Sequence, residues 1–451
     1  MSKNNLYNEK SIESLPPLEF TRRHPQLYAG DCTYSTQLLI EAFSNAVDEF
    51  NGGRGDKIIV TLDGDVCSVA DFGQGFLVNS FREDGKTILE AAFSVLNTSG
   101  KYREDGSYEG TSLGSFGIGA KIIVFLSNWA VVETWRDGMY ERVSFKEGVF
   151  KDRVVRPITE DEERDCGTVV KWKPSAEFFT NTIVDKNRVR ELFKTISALC
   201  QGLTIILSDM KEAAPEIFYS EKGLHDLADA ATKGKEIIKN RLYIDEKAGK
   251  HRLNLIMTYQ EGYNSTFVSY VNTGETESGS HISQLKTALT RGMNNFFKEK
   301  GWLKEKDSNL TGDDIQEGIY MLFNYTVPDV RYDAQVKSRV RSIDTKFEIS
   351  TFSAALQSWL LQNEKDIKKI ADKALVARKV REAARRAKEL VREGKQEKKK
   401  KVLKFSSKLA DCHSKDRLNC ELLITEGDSA SGNLKMARDN EFQAVMPIRG
   451  R

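Results

Sequence analysis

The sequence contains few cysteines and no long apolar run. Its 451 residues include only six cysteines, and no two of them form a CxxC pair. A structural zinc site or a disulfide framework is therefore not expected, and the chain fits a reducing, cytosolic compartment. No apolar stretch approaches the length of a membrane span, and the first residues, MSKNNLYNEKS, lack the apolar core of a signal peptide.

The sequence also lacks the phosphate-binding motif of P-loop proteins and any strong excess of one charge. No GxxxxGK[ST] segment occurs, which excludes a Walker-type nucleotide site. Charged residues make up 30% of the chain, yet the net charge is only +2, so the total charge does not predict a nucleic-acid partner. A hydrophobic content of 39% and the length of 451 residues predict a globular protein of two or three domains.

The other motifs are arranged around the stretch STQLLIEAFSNAVDEF, residues 35–50. Its apolar residues recur at helical spacing in a wide arc, and we expect Ser35 or Thr36 to cap the start of a helix. One narrow stripe is polar, because Glu41, Asn45 and Asp48 follow one another at i, i+4 and i+7. A polar stripe on a buried helix predicts the wall of a ligand pocket. The alternative is a surface helix with an ordinary solvated face.

Two glycine-containing turns follow this helix. A β-hairpin is predicted around Asp63-Gly64, and its second strand leads into DFGQGF, residues 71–76. Alternate glycines after a strand let the backbone approach a ligand closely, and Asp71 can accept a hydrogen bond there. Further along, GSFGIGA at residues 114–120 opens a predicted helix, which is typical of phosphate binding. DxGxG alone is a weak signal, but the two turns together favour the ligand pocket.

These motifs form an ordered set that resembles the GHKL ATPases: a Glu/Asn helix, DxGxG, GxxGxG at a helix start, and a strand-borne Gly167-Thr168. Within that superfamily, TRRHPQLYAGD, DFGQGF, NTSGKY, GSFGIGAK and CGTVVKWKPS resemble the ATPase subunits of type IIA DNA topoisomerases, of gyrase-B type. The resemblance implies an α+β chain of three parts. A GHKL ATPase α/β sandwich with an N-terminal dimerisation arm is expected at 1–212, a transducer domain ending in a long basic helix at 213–400, and the first part of a TOPRIM domain at 401–451.

The resemblance also assigns roles to individual residues. Glu41 is expected to act as general base on the attacking water, and Asn45 to ligate the Mg²⁺ that accompanies ATP. Asp71 is expected to bind the adenine amino group, with Thr168 nearby. Further nucleotide contacts are expected from the glycine turns, the loop between them and the N-terminal arm of a partner subunit: Gly73, Gly75, Phe76, Lys101, Tyr108, Gly114, Ser115, Phe116, Gly117, Ile118, Gly119, Ala120, Lys121 and Tyr7.

Three residues depart from the family pattern. Ser44 replaces an acidic residue that commonly precedes the Asn of the helix, and Gln74 stands where bacterial gyrase usually has Arg. Phe116 replaces a His or Asn in the second glycine turn. These changes leave the expected ATPase residues in place, but they separate the chain from ordinary bacterial gyrase and its drug contacts.

The middle third of the chain resembles the transducer domain of the same family. Strands are predicted in HRLNLIMTYQ, STFVSYVNT and GIYMLFNYTVPDV, and an amphipathic helix in ISQLKTALTRGMNNFFKEKG. Gln335-Val336-Lys337 matches the family's Q-x-K loop, which implies that Lys337, with Gln335 beside it, contacts the γ-phosphate of ATP. A lysine from a second domain gains this ion-pair partner only while the γ-phosphate is present. Outside this context the same tripeptide would be an ordinary exposed loop.

The last third combines a basic helix with a short apolar strand. Residues 363–404 predict either a solvated helix ending in a basic linker or a transducer helix that carries positive charge toward DNA. The strand CELLIT is followed at once by Glu426, which resembles the first Mg²⁺ ligand of a TOPRIM domain, where a later DxD pair completes the site. No such pair precedes Arg451, so we expect DNA cleavage to need further residues and a separate cleavage subunit. Lys408 and Arg449 are expected to contact DNA in the family manner.

The resemblance thus predicts a cytoplasmic, DNA-associated ATPase. Two copies would dimerise through their ATPase domains on binding ATP and close a gate behind a captured DNA duplex. One alternative is a mismatch-repair or chaperone-like GHKL clamp, although the order of Q-x-K loop and EGDSA strand argues against it. A second is a non-cleaving paralogue that holds ATP without useful hydrolysis. An ATPase assay with and without duplex DNA distinguishes the three.

Overall fold

The computed structural model describes residues 15–96, 118–162, 164–235, 237–333, 338–402, 408–414, 416 and 418–448, and for residues 390–402 it describes the backbone alone. The chain divides into two units, Met1–Ala374 and Leu375–Arg451. Within the described residues, no helix is both long enough and apolar enough to cross a membrane.

The first sheet of the first unit has eight strands in the described residues. They are β1 (Lys57–Asp63), β2 (Val66–Asp71), β3 (Ser127–Arg136), β4 (Met139–Lys146), β5 (Val149–Pro157), β6 (Gly167–Pro174), β7 (Thr204–Asp209) and β8 (Glu216–Phe218). Their spatial order is β5-β4-β3-β6-β2-β1-β7-β8. Only β1 and β7 pair in parallel among the described strands of this sheet. The predicted hairpin is confirmed, because β1 and β2 are antiparallel with Asp63 opposite Val66.

Helices cover this sheet where its strands alternate buried and half-exposed residues. They are α1 (Pro17–Arg23), α2 (Gln26–Ala29), α3 (Thr36–Asn51), α4 (Ile88–Ser94), α5 (Gly119–Phe125) and α6 (Lys186–Leu199). Helix α7 (Leu224–Thr232) follows in the chain and packs against α6. The predicted helix at 35–50 is confirmed as α3. Most of its apolar arc is buried, with Ile40 and Phe50 half-buried, and the ring of Phe43 lies 4.5 Å from that of Phe193 in α6. The core beneath α3 therefore fixes which stripe of the helix is left to face a pocket.

The predicted cap of α3 is wrong in its mechanism. Neither hydroxyl at the start of α3 bonds to the helix's own first turn. Ser35 Oγ instead donates to the carbonyl of Thr182 at 2.7 Å, and Thr36 Oγ1 accepts from the backbone N–H of Asp185 at 2.8 Å. Both side chains are buried, and their hydroxyls bond to backbone groups of the loop at 182–185 instead of the first N–H groups of α3.

The second sheet of the first unit is built from the middle third of the chain. Its described strands are β9 (Leu242–Ala248), β10 (His251–Tyr259), β11 (Thr266–Val271), β12 (Gly274–Glu275) and β13 (Ile319–Thr326), in the order β12-β11-β13-β10-β9. It packs with α8 (Ser280–Glu299), α9 (Gly312–Gln316) and α10 (Lys346–Gln362), and a short ribbon of β14 (Arg331–Tyr332) and β15 (Val340–Ser342) follows β13. The three predicted strands and the predicted amphipathic helix are confirmed as β10, β11, β13 and α8.

Several elements of this region were not predicted, among them a helix and a strand in its charged segment. The charged segment 221–250 contains α7 and β9. Helix α7 buries Leu224, Ala228 and Thr232, while Asp226, Asp229, Ala230 and Ala231 are exposed. A helix that buries so few residues carries a weak periodic signal, which its charged neighbours obscure.

The second unit contains a small parallel sheet. Helix α11 (Glu364–Val402) begins in the first unit, and β16 (Glu421–Glu426), α12 (Gly427–Ala437) and β17 (Gln443–Ile448) follow it. Strands β16 and β17 pair in parallel, with Glu421 opposite Gln443. The predicted long helix and the predicted strand in CELLIT are both confirmed, the strand from residue 421 onward.

Candidate nucleotide site

The polar stripe of α3 consists of side chains at different depths. Asp48 is buried at 5% exposure, Glu41 is half-buried and Asn45 is exposed. Gln37 Nε2 donates to Glu41 Oε1 at 3.0 Å, which orients the carboxylate along the helix surface. Glu41 and Asn45 are therefore available to a ligand, whereas Asp48 belongs to the floor of the site.

The first residue of α5 lies directly against this stripe. A Cβ at Gly119 would overlap Glu41 Oε2 and would lie 3.2 Å from Glu41 Cδ. Only glycine allows the second glycine turn to approach the carboxylate this closely. Helix α5 begins here, so its unpaired backbone N–H groups lie at the same end of the pocket as Glu41.

The first glycine turn begins at the end of β2 and positions Asp71. Asp71 Oδ1 accepts from the backbone N–H of Gly73 at 2.9 Å and from that of Thr168 in β6 at 3.2 Å. Among the described residues, no hydrogen bond ends on Oδ2. Burial raises the pKa of Asp71 to about 6, against the lowering effect of the Gly73 bond. The carboxylate is thus held at one oxygen and open at the other.

Two glycines with positive φ pack this turn against the neighbouring strands. Gly75 has φ +68°, and a Cβ there would lie 2.9 Å from Thr134 Oγ1. Thr134 in β3 fixes the turn, since its Oγ1 accepts from the N–H of Phe76 at 2.8 Å and donates to the carbonyl of Gly167 at 3.2 Å. Gly167 has φ +104°, and a Cβ there would overlap the carbonyl of Asp71. Glycine is required at both positions by conformation and by space.

Sequence reasoning missed two charged residues that support the turn. Arg164 donates to the carbonyl of Asp71, and its guanidinium lies 4.0 Å from the ring centroid of Phe72. Glu49 accepts from the backbone N–H of Gln74 at 3.3 Å and forms an ion pair with Arg54 at 2.8 Å. Glu49 could have been found, because it follows Asn45 by one helical turn. Arg164 stands in no motif, and its partner lies 93 residues away.

Comparisons with known proteins show which family the chain belongs to. A family model described as DNA gyrase B matches residues 223–390. The DNA gyrase B chain of Thermus thermophilus is 32% identical over 451 residues, covering 99% of this chain and 70% of its own length. The B chain of DNA topoisomerase 4 from Bacillus subtilis is 32% identical over 456 residues, covering 99% and 68%. The chain belongs to the family of B subunits, the ATPase subunits, of type IIA DNA topoisomerases.

A solved structure supports the same assignment. The 43K ATPase domain of Thermus thermophilus gyrase B, crystallised with an aminocoumarin, superimposes with a TM-score of 0.64 at 29% identity. The match covers 83% of this chain and 98% of that one. The predicted α+β fold, a GHKL ATPase sandwich followed by a transducer domain, is confirmed. The alternative of a mismatch-repair or chaperone-like clamp is set aside.

Three predicted residues of this topoisomerase ATPase lie at the start of α5, and ten others lie outside the described residues. Lys121 in α5 is only 2% exposed, and burial lowers its pKa to about 8. Ile118 and Ala120 are half-buried beside it. The remaining predicted residues lie outside the described parts of the chain: Tyr7, Lys101, Tyr108, Gly114, Ser115, Phe116, Gly117, Gln335, Lys337 and Arg449.

The described residues that flank 334–337 are held by backbone hydrogen bonds. The N–H of Asp333 donates to the carbonyl of Arg339 at 3.1 Å, and the N–H of Glu277 donates to the carbonyl of Ser338 at 2.7 Å. Val340 then donates to Ser278 at 2.9 Å. The flank at 338–340 is therefore held to residues 277 and 278, and Asp333 pairs with this flank through Arg339.

In the second unit, Glu426 is exposed at the carboxyl end of β16, immediately before α12. Lys408 Nζ forms an exposed ion pair with Asp428 at 3.2 Å. Within the described residues, no group of three or more His, Cys, Asp or Glu side chains is arranged to hold a metal ion. Glu426 therefore stands without further acidic ligands in this part of the chain.

Proposed function

We propose that this chain binds ATP with Mg²⁺ between α3, the turn after β2 and the start of α5, that ATP binding closes a protein gate on DNA, and that hydrolysis resets the gate. The single observation that carries this proposal is the contact of the Glu41 carboxylate with the first residue of α5. The contact sets a proton acceptor beside the N–H donors of a helix start. Such a pair suits a water that loses its proton to the carboxylate and a phosphate that the N–H groups bind.

The adenine end of the site fits the turn at Asp71. Asp71 Oδ2 is the atom that would accept the adenine amino group, because Oδ1 already accepts two backbone N–H groups. The close backbone packing at Gly75 and Gly167 leaves the turn without side chains that would fill this space. Thr168, 6% exposed, follows Gly167 at the start of β6 and would border the same end of the site.

The phosphate end fits the exposed part of the α3 stripe. Asn45 is exposed one turn beyond Glu41, and its side-chain oxygen suits a hard cation that keeps several waters. Mg²⁺, when bound, would neutralise charge on the phosphate oxygens. Glu41 would hold and deprotonate the attacking water, and the start of α5 would donate N–H groups to the phosphates, together with the glycine turn at 114–117 and Lys101.

Coupling to DNA would run through the transducer. Lys337, with Gln335, would contact the γ-phosphate, and the flank at 338–340, held to residues 277 and 278, would transmit its loss to the second sheet. Two copies would dimerise on ATP, with Tyr7 of the arm of one copy reaching the nucleotide of the other. We assign the ATPase domain to 1–212, the transducer to 213–400 and the start of a TOPRIM domain to 401–451.

DNA cleavage would need a second polypeptide. Glu426, at the end of a parallel strand and before a helix, would serve as one Mg²⁺ ligand of a TOPRIM site. A separate gyrase-A-like subunit would supply the DNA cleavage and religation, in the cytoplasm where the duplex is found. Lys408, Arg449 and the basic face of α11 would contact the DNA.

The direct test measures turnover and nucleotide binding in Glu41→Gln. We expect binding of a non-hydrolysable ATP analogue within about threefold of the unmodified chain and turnover lower by about 100-fold or more, the usual contribution of a general base. Glu191→Gln is the matched control, since Glu191 is 72% exposed on α6 and pairs only with its helical neighbour Lys194 in the described contacts. Unchanged turnover in Glu41→Gln would remove Glu41 from this role.

The proposed gate closure is tested by measuring whether the chain dimerises when it binds nucleotide. Saturating non-hydrolysable analogue with Mg²⁺ should convert monomer to dimer in analytical ultracentrifugation, and removal of residues 1–14 should abolish the dimer while leaving nucleotide binding intact. A chain that stays monomeric at saturation would contradict ATP-driven dimerisation without touching the assignment of the ATPase site.

A further inference from the structure

Two cysteines that are eight residues apart in the sequence meet in the second unit. Cys412 Sγ lies 3.5 Å from Cys420 Sγ, so the two thiols are in van der Waals contact. Both also point to one carbonyl, that of Ser414, at 3.9 and 3.6 Å, and Cys420 donates to the carbonyl of Asp416 at 3.1 Å. The loop between them therefore turns both side chains inward on each other.

The loop is fixed at its base. Ala410 exchanges two backbone hydrogen bonds with Val445 of β17, both 2.8 Å long. The N–H groups of His413 and Ser414 donate to the carbonyls of Asn440 and Glu441, at 3.0 and 2.8 Å. At the other end, Cys420 directly precedes β16. The two thiols are thus held near each other by the parallel sheet, and closing the last distance between the sulfurs needs only side-chain and local loop adjustment.

The other four cysteines have different surroundings. Cys67 and Cys200 are buried, at 1% and 3% exposure, so a small disulfide in solution does not reach their thiols, whereas Cys412 and Cys420 are half-buried. Cys32 and Cys166 are half-buried in the first unit and contact backbone carbonyls. A structural zinc ion needs four ligands, and the described residues place no third His, Cys, Asp or Glu with Cys412 and Cys420.

We propose that Cys412 and Cys420 form a reversible dithiol–disulfide pair that is oxidised by a low-molecular-weight disulfide. One thiolate attacks a sulfur of the small disulfide and releases one equivalent of small thiol. The second cysteine thiolate then attacks the mixed disulfide, forms the Cys412–Cys420 bond and releases the second equivalent. The protein loses two protons and two electrons, and the small disulfide is reduced to two thiols.

The bond would close a loop that ends where β16 begins. Because β16 runs from Glu421 to Glu426, the oxidised pair would tether the entry of the strand whose far end carries the acidic residue. The pair therefore places a redox-sensitive link beside this strand, whether or not Glu426 binds a metal.

The test uses the full chain and oxidised glutathione as the probe. The native protein is incubated with excess oxidised glutathione, the free thiols are alkylated, and a tryptic digest is analysed without reduction. Trypsin cleaves after Lys408, Lys415, Arg417 and Lys435, so peptides 409–415 and 418–435 separate unless a disulfide joins them. We expect one linked species that lacks glutathione, lost on addition of dithiothreitol.

Matched variants distinguish the pair from general thiol oxidation. Cys420→Ser should leave Cys412 with a glutathione adduct or an alkyl group, and Cys32→Ser should keep the linked peptides unchanged. The proposal is overturned if the unmodified chain yields peptides 409–415 and 418–435 only as separate alkylated or glutathione-bearing species. Because this readout needs only the unmodified chain, misfolding of a variant would not obscure the result.

Discussion

Gly119→Ala tests the contact on which the ATPase site depends. The new Cβ would overlap Glu41 Oε2 and would lie 3.2 Å from Glu41 Cδ, so the carboxylate must turn away from the start of α5. The overlapping atom is the end of a flexible side chain, and the backbone can stay in place. The substitution therefore moves the proposed general base without removing it.

The effect on stability is expected to be small. Replacing glycine by alanine in a helix raises the free energy of unfolding by up to about 1 kcal/mol. Turning Glu41 away breaks the 3.0 Å bond from Gln37, which costs about 1 kcal/mol, and an imperfect rotamer costs about 0.5–1.5 kcal/mol. The free energy of unfolding should therefore change by no more than about 2 kcal/mol. Turnover should fall by about 100- to 10,000-fold, because a misplaced base loses about 3–5 kcal/mol of transition-state stabilisation.

The assay compares phosphate release at saturating Mg-ATP with ADP affinity measured by calorimetry. Gly432→Ala is the matched control, because Gly432 also lies in a helix, α12, and a Cβ there meets nothing within 4 Å. The control should keep both turnover and affinity. Wild-type turnover in Gly119→Ala, with the fold intact, would refute the placement of Glu41 as the catalytic base.

Three further predictions concern other parts of the first unit. Burial raises the pKa of Asp71 to about 6, so its carboxylate gains a proton as pH falls through about 6, and ADP affinity should drop over that pH range. Asp71→Asn should bind ADP weakly, and its affinity should not change over the same pH range. A drop in affinity that persists unchanged in Asp71→Asn would contradict the assignment of Asp71 to adenine binding. Lys337→Ala should lower hydrolysis more than ADP binding, and equal hydrolysis would reject the contact with the γ-phosphate. Phe43→Ala should lower the free energy of unfolding in urea by about 3–5 kcal/mol, because the ring is 1% exposed and packs on Phe193. A loss below about 1 kcal/mol would show that the surrounding core collapses to fill the space left by the ring.

Local sequence patterns determined most of the elements around the site. The periodicity of residues 35–50 predicted α3 and its polar stripe, and the turn at Asp63-Gly64 predicted the β1–β2 hairpin. The capping role of Ser35 and Thr36 was wrong because long-range partners at Thr182 and Asp185 compete for the same hydroxyls. No pattern of nearby residues reports such a competition.

Helical and strand periodicity, glycine turns and the order of the family motifs were enough to predict most of the elements around the site, because each of these features can be read along the chain. Contacts between distant atoms came from the tertiary fold. It brought Glu41 against Gly119, Arg164 against Asp71, and Cys412 against Cys420 in a chain whose cysteine spacing had predicted no pairing. The physical reason is that sheet pairing and helix packing, which join residues far apart in the chain, set these distances.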